Sequence, residues 1–308
     1  MINFRYHIVS LMAVFIALSV GIAVGVSLSP SVDQGIITQA AQDRKQVTDL
    51  RAELDRRNAL DQYREAYDQR VGKVVAENVL SGIRVAIVAM PDAPTAVVDA
   101  TSTAVEEAGG NVVREVKINA EVFEDSQADK INEALTPWAA DINSDDSMSA
   151  ATKVGLALGR SVAARGVLDR DSQALAIGDA LTSNGWATIS KGSPAQAQLV
   201  IVVTAEATEP RPTPETLAAH VAFDVALKNR ASVVVAGPNS EDLEGTDVLA
   251  VRSDPTAVDL LSTVDVADLT SGVTTSVLAG REQLNGSAGR HYGALAKADA
   301  PLPDLPVR

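Results

Sequence analysis

The chain begins with an apolar run whose pattern differs from that of the rest of the sequence. Residues 8–28 contain 21 positions without a charged side chain. At about 1.5 Å of rise per residue, a helix of this length crosses the hydrocarbon core of a bilayer, which is about 30 Å thick. The pattern therefore predicts that residues 1–30 form a transmembrane anchor.

A cleaved signal peptide is the alternative interpretation of this run. Ala23-Val24-Gly25 offers the small residues that a signal peptidase requires. The run exceeds the roughly 7 to 15 residues of a usual signal core, which favours an anchor. Arg5 precedes the run and Asp33 is the first charge after it. The positive-inside rule then predicts a single-pass protein of the cell membrane, with a cytoplasmic N terminus and the bulk of the chain extracytoplasmic.

Small residues recur at every fourth position along the apolar run. They include Gly21 and Gly25, a G-x-x-x-G pair that lets two helix backbones approach closely inside lipid. We therefore expect contact with a second membrane helix, from another copy of this chain or from a different membrane protein. The predicted membrane contact consists of Ala13, Ala17, Gly21, Gly25 and Ser29.

A long helix is predicted after the span, because residues 33–78 contain no proline and carry apolar side chains at helical spacing. Val47, Leu50 and Leu54 fit heptad positions a, d and a, and a second apolar block follows after a three-residue stammer. We expect a coiled coil over residues 31–80, with Pro30 as a joint after the span. The alternative is a lone amphipathic helix packed on its own domain. The predicted seam consists of Val47, Leu50, Leu54, Leu60, Tyr63, Tyr67 and Val74.

From residue 82 onward, short β-branched runs alternate with amphipathic stretches. Residues 83–90, 95–108 and 111–118 predict a strand, a helix and a strand, a unit long enough for a right-handed βαβ crossover. The pattern predicts an α/β class: a Rossmann-like domain with a mainly parallel sheet over residues 81–285, followed by a flexible C-terminal tail over residues 286–308. Further strands are predicted at 199–204, 231–237 and 248–251, a helix near 215–229, and a mostly helical middle at 128–184.

Composition and charge narrow the possible partners. The chain has 308 residues, no cysteine and a formal net charge of −14. Without cysteine the protein forms no disulfide and offers no thiol nucleophile or zinc-thiolate site. The negative charge disfavours nucleic acid and anionic lipid headgroups as partners.

The usual cofactor and metal motifs are incomplete in this chain. The turn at residues 90–95 lacks the glycines of a dinucleotide site and the lysine of a P-loop. Residues 141–146 begin like a calcium loop, but Asp146 and Thr152 stand where glycine and glutamate are required. We predict no cofactor and no resident metal.

Candidate catalytic residues are also few. His220 and Asp224 are one helical turn apart, and we interpret them as an ordinary helix pair because two groups do not complete a site. An enzyme would need a pocket of carboxylates such as Asp92, Asp224 or Glu241. We predict a non-catalytic protein.

Two stretches carry a distinctive residue order. Residues 2–7 read Ile-Asn-Phe-Arg-Tyr-His, and the C-terminal part contains Thr263-Val264-Asp265, Glu282-Gln283-Leu284 and Gly289-Arg290-His291-Tyr292-Gly293. These motifs resemble those of the actinobacterial family named both MctB and SteB. The resemblance extends over nearly the whole length of the chain.

The resemblance implies two functions. SteB is an inner-membrane protein that faces the cell wall, pairs with the membrane protein SteA, and is implicated in cell separation and peptidoglycan hydrolase control. MctB implies copper efflux that keeps intracellular copper low, with an outer-membrane location. Copper(I) favours thiolate and thioether ligands, whereas this chain has no cysteine and only the scattered Met1, Met12, Met90 and Met148. We therefore predict a scaffold that forms a homodimer, binds a SteA-like membrane protein, or both, with copper transport as the alternative.

Overall fold

The computed structural model describes the backbone of residues 4–190, 192–207, 209–240 and 244–305, and the side chains in these ranges except those at 4, 5, 26, 28–38, 40 and 41. The helices are α1 (Phe4–Ala76), α2 (Thr95–Glu107), α3 (Ala128–Leu135), α4 (Ala139–Ile142), α5 (Ala150–Val162), α6 (Ser172–Ser183), α7 (Pro214–Leu227), α8 (Asp247–Ser253), α9 (Ala257–Leu260) and α10 (Thr270–Leu284). The strands are β1 (Arg84–Ala89), β2 (Asn111–Ile118), β3 (Ala187–Ser190), β4 (Leu199–Val203), β5 (Ser232–Ala236), β6 (Ser262–Val264) and β7 (His291–Tyr292).

The chain divides into two units, residues 1–64 and residues 65–308. In the first unit every described residue belongs to α1, and the helix is continuous at position 30. The predicted joint at Pro30 is therefore wrong. A proline removes one main-chain hydrogen bond, but the turns on either side keep theirs and the helix continues.

The second unit is built around one seven-stranded sheet with the order β3-β2-β1-β4-β5-β6-β7. All neighbouring strands run parallel except β3, which is antiparallel to β2. The predicted α/β class with a mainly parallel sheet is confirmed. A central parallel strand is buried on both faces, which explains why β4 reads as an unbroken run of Leu, Val and Ile.

The two faces of the sheet carry separate hydrophobic cores. Along β4, Val200 and Val202 point into one core, which includes Phe223 of α7 and Trp186. Leu199 and the other odd-numbered residues of β4 point into the second core, beneath α2 and α10. This alternation follows from the two-residue period of a strand.

The end of α1 is part of the second core. Ala76 is buried there, and Gly72 packs so closely on α10 that a Cβ at this position would lie 2.7 Å from Thr274 Oγ1. Lys73 Nζ lies 2.7 Å from Glu107 Oε1 on α2. The last turns of α1 are therefore built into the α/β unit.

One predicted strand is wrong, and three strands were not predicted. Residues 248–251 belong to α8, which begins where the Thr246 hydroxyl accepts a hydrogen bond from the Leu249 N–H at 3.3 Å. Val248 and Val251 lie three residues apart and are both buried on one face of that helix. The strands β3, β6 and β7 have four, three and two residues, too few for a recognisable pattern.

The C-terminal residues that carry the family resemblance form a buried polar network. Arg252 Nη1 donates to Asp265 Oδ2 at 2.8 Å, and both side chains are fully buried. Arg252 also donates to the Tyr292 carbonyl, and Asp265 accepts from the Ala294 N–H. A Cβ at Gly293, where φ is +135°, would lie 2.0 Å from Asp265 Oδ1. The network holds β7, within the predicted tail, against β6.

We expect Arg252→Met to lower the free energy of unfolding by about 3 to 5 kcal/mol, because the change leaves the buried carboxylate of Asp265 without its cation. Chemical denaturation of the full chain in detergent measures this loss. Arg281→Met, at an exposed position of α10, is the matched control and should change stability by less than about 0.5 kcal/mol. Equal stability of the two variants would contradict the structural role of the network.

Candidate functional site

The first candidate surface is the apolar segment of α1. Within the described residues, Tyr6–Gly25 is the one helical segment long and apolar enough to cross a membrane, and its side chains are exposed. A Cβ at Gly21 or Gly25 would meet no atom within 4 Å, and Ala13 and Ala17 are also uncovered. The side chain of the fifth predicted contact, Ser29, lies outside the described residues.

The small residues of this segment follow a path that suits a crossing pair of helices. A spacing of four residues advances the stripe by about 40° per step, so it follows one ridge of the helix surface. Ridges of this kind pack in the right-handed crossings that G-x-x-x-G pairs adopt. The hydroxyls of Ser19 and Ser27 donate to carbonyls one turn earlier in α1, which satisfies them within the helix.

The second candidate surface is the predicted coiled-coil seam in the first unit. Val47, Leu50 and Leu54 are 46%, 54% and 58% exposed. Since successive helical residues are about 100° apart, these three share one face, whereas Leu60 and Tyr63 lie more than a quarter of a turn from the centre of that face. The first block therefore forms a distinct apolar face, which we call the a/d face (Val47, Leu50 and Leu54).

The other predicted seam residues, Tyr67 and Val74, belong to the second unit. They are 55% and 58% exposed. The helix face that packs on the domain carries Gly72 and Ala76, and helical geometry directs Tyr67 and Val74 away from it. The structure thus distributes the seven seam residues over more than one face of α1.

A third candidate is a cavity at the carboxyl ends of the parallel strands. Chain order reverses between β1 and β4, and open α/β sheets bind ligands in the crevice beside such a switch point. The cavity has a volume of about 320 Å³, and residues after β1, β2 and β4 contribute to its wall. Asp92, with φ of +60°, Glu124 and Glu206 line it, together with Phe123 and His220.

A buried histidine–aspartate pair lies in the wall of this cavity. His220 Nδ1 is 2.7 Å from Asp247 Oδ1, and both side chains are largely buried. The ring of Phe123 packs edge-on against the imidazole, with the ring centroids 4.2 Å apart. These contacts fix the orientation of the imidazole and of its hydrogen bond.

Asp224 lies one helical turn from His220 and is fully buried, but it is not paired with the histidine. Neither carboxylate oxygen has a hydrogen-bond partner among the described residues. Burial raises the pKa of Asp224 well above its usual range, and the nearby charge of Asp247 raises it further. The predicted His220–Asp224 helix pair is therefore wrong, and the surroundings of Asp224 favour its neutral form.

The carboxylates in the cavity wall suit a cation or a hydrogen-bond donor as a ligand. The described residues of the cavity do not form a recognisable catalytic set. Glu241, which we considered for a carboxylate pocket, lies outside the described residues. Among the residues that the structure describes, no three His, Asp or Glu side chains are grouped closely enough to hold a metal ion. Met90 is buried in the sheet core, whereas Met12 is exposed in the apolar segment of α1.

Comparisons with known proteins agree over nearly the full length of the chain. A family model described as "Copper transport outer membrane protein, MctB" matches residues 1–303. Proteins named "Copper transporter MctB" from Mycobacterium tuberculosis (strain ATCC 25618 / H37Rv) and Mycobacterium bovis (strain ATCC BAA-935 / AF2122/97) are 28% identical over 305 residues, covering 95% of this chain and 96% of each relative. The protein of that name from Mycobacterium leprae (strain TN) is 25% identical over 307 residues, with the same coverage.

We expect Asp224→Asn to stabilise the protein at pH 7. The folded state keeps a proton on Asp224 that the unfolded chain releases above about pH 4, so the wild-type stability falls as pH rises from there. Asparagine is neutral at every pH and removes this loss. Chemical denaturation at pH 7 measures the gain in the free energy of unfolding. The same measurement below pH 4 should show that the gain has disappeared.

Asp99→Asn, at an exposed position of α2, is the control for this measurement and should leave the pH dependence unchanged. An Asp224→Asn variant that is no more stable than the wild type at pH 7 would contradict a neutral, unsatisfied Asp224.

Proposed function

The chain belongs to the MctB family, and we propose that it is a non-catalytic, single-pass membrane scaffold that pairs with a second copy of itself through α1. The observation that carries the proposal is the a/d face: three apolar side chains about half exposed in a stretch of helix otherwise rich in charge. Burying three such side chains per copy would contribute several kcal/mol to association.

The membrane anchor favours a parallel arrangement of the two copies. Two chains that enter the bilayer in the same direction run side by side, so each heptad position faces its own equivalent. A β-branched Val at position a followed by Leu at position d is the combination that favours two-stranded parallel coiled coils. Val47 and Leu50 supply it, and the uncovered Gly21 and Gly25 provide a further contact within the bilayer.

We further propose that the scaffold presents its α/β unit outside the cell membrane to a SteA-like membrane partner, in cell separation and the control of cell-wall hydrolases. Arg5 before the apolar segment supports a cytoplasmic N terminus, and with that topology the residues after the span would lie on the outer side. The choice of a SteA-like partner rests on the resemblance to SteB alone.

Copper transport is the second candidate, because the relatives carry the name of a copper transporter. Thioether and imidazole groups are the copper ligands that this chain offers. Saturable binding of copper(I) by the full chain under reducing conditions, with affinity of about 1 µM or tighter, would favour this candidate over the scaffold.

The proposed membrane contact predicts that the double variant Gly21→Leu, Gly25→Leu pairs more weakly. Two leucine side chains would separate the backbones, and we expect dimerisation in lipid bilayers to weaken by about tenfold or more. Förster transfer between labelled chains in liposomes measures the equilibrium.

The matched control is Ser19→Leu, Ala23→Leu, which makes the same kind of change at the same spacing on the opposite side of α1. Its dimerisation should equal that of the wild type. Equal pairing by the glycine variant and the wild type would remove the membrane contact from the proposal.

A further inference from the structure

A large open cavity lies at the β3 edge of the sheet, away from the switch point. Its volume is about 710 Å³, and its walls come from β2, β3, α6 and the loops before α6 and β4. Two arginines, Arg114 of β2 and Arg170 of the loop before α6, line it. The wall of this cavity therefore carries two positive side chains in a protein whose formal net charge is −14.

The guanidinium of Arg170 is held in place by hydrogen bonds to the fold. Its Nη2 donates to Ser161 Oγ at 3.2 Å and to the Ala174 carbonyl at 3.3 Å. Its Nε is buried and has no hydrogen-bond partner among the described residues. Gly178 makes room for the guanidinium, because a Cβ there would lie 2.6 Å from Nη2.

The hydrogen bonds that the structure describes for the two arginine side chains all go to neutral groups. Arg114 is almost completely buried and donates to the backbone carbonyls of Val113 and Ser193. Within the described residues no carboxylate forms an ion pair with Arg170; Asp179, exposed in the cavity wall, attracts it from a greater distance. Burial lowers the pKa of Arg114, and the charge of Arg170 lowers it further.

A negatively charged group in this cavity would offset the repulsion between the two arginines. Planar guanidinium groups bind phosphate and carboxylate oxygens by charge-assisted hydrogen bonds. Thr182, Ser183 and Ser193 add polar groups to the wall. The volume exceeds that of a free ion and falls within the range of small-molecule sites.

We propose that this cavity binds an oxyanion, a phosphate or carboxylate group, carried by a small molecule or by one unit of a polymer. Arg170 is the principal contact, and Arg114 adds positive potential. The negative charge of Asp179 repels the anion and so weakens its binding. The proposal is independent of pairing through α1, because none of these residues belongs to that helix.

Isothermal titration of the full chain in nanodiscs of neutral lipid, at constant ionic strength, tests the site with sodium phosphate and sodium acetate as probes. We expect saturable binding that Arg170→Met weakens by about tenfold or more, the effect of losing charge-assisted hydrogen bonds. Asp179→Asn should strengthen binding several-fold, a gain that a misfolded variant could not produce. If phosphate binds more tightly than acetate, the ligand carries a phosphoryl group. If acetate binds more tightly, the ligand carries a carboxylate.

Arg165→Met is the matched control, because Arg165 is exposed and donates to the carbonyls of Lys228 and Asn229 outside the cavity. Its affinity for both probes should equal that of the wild type. Absence of saturable binding for both anions, an equal loss in Arg165→Met and Arg170→Met, or unchanged affinity in Asp179→Asn would each overturn the proposal.

Discussion

A parallel sheet must be covered on both faces, and this requirement organises the second unit of the protein. Helices α5 and α7 belong to one cover, and α2, α10 and the last turns of α1 form the other. Because Ala76 is part of the core and Gly72 lies against Thr274, the helix that begins in the apolar segment ends as a structural element of the α/β unit. The same arrangement leaves the carboxyl ends of the strands open, and the cavity whose wall contains His220 lies there.

The C-terminal motifs and the candidate functional surfaces occupy different parts of the chain. Arg252, Asp265 and Gly293 form a closed network in which the buried charges satisfy one another, so these residues serve stability. The exposed apolar face of α1 and the two cavities have uncovered atoms or unsatisfied polar groups. Asp224 and Arg170 both hold a buried polar atom without a partner among the described residues, and each such atom costs free energy in the folded state.

The sequence predicts the long elements of this fold because their patterns are strong. β1, β2, β4 and β5 are continuous β-branched runs, and α2 and α7 have clear helical periodicity. Residues 248–251 were assigned to a strand because four apolar-rich residues do not distinguish the two periods. The cavities cannot be predicted from the sequence for another reason. His220 contacts Asp247, which lies 27 positions away in the chain. Arg114 and Arg170 line one cavity only because β2 and the loop before α6 border the same edge of the sheet. Spacing in sequence carries no information about such contacts.

Pairing of two copies through the a/d face is the central claim, and disulfide crosslinking in native membranes tests it most directly. The chain contains no cysteine, so a single introduced thiol reports on one position alone. Oxidation should link Leu50→Cys chains into dimers efficiently and Ala52→Cys chains poorly, because position 52 lies on the opposite side of α1. Equal crosslinking at both positions, or none at position 50, would contradict a scaffold that dimerises through this helix.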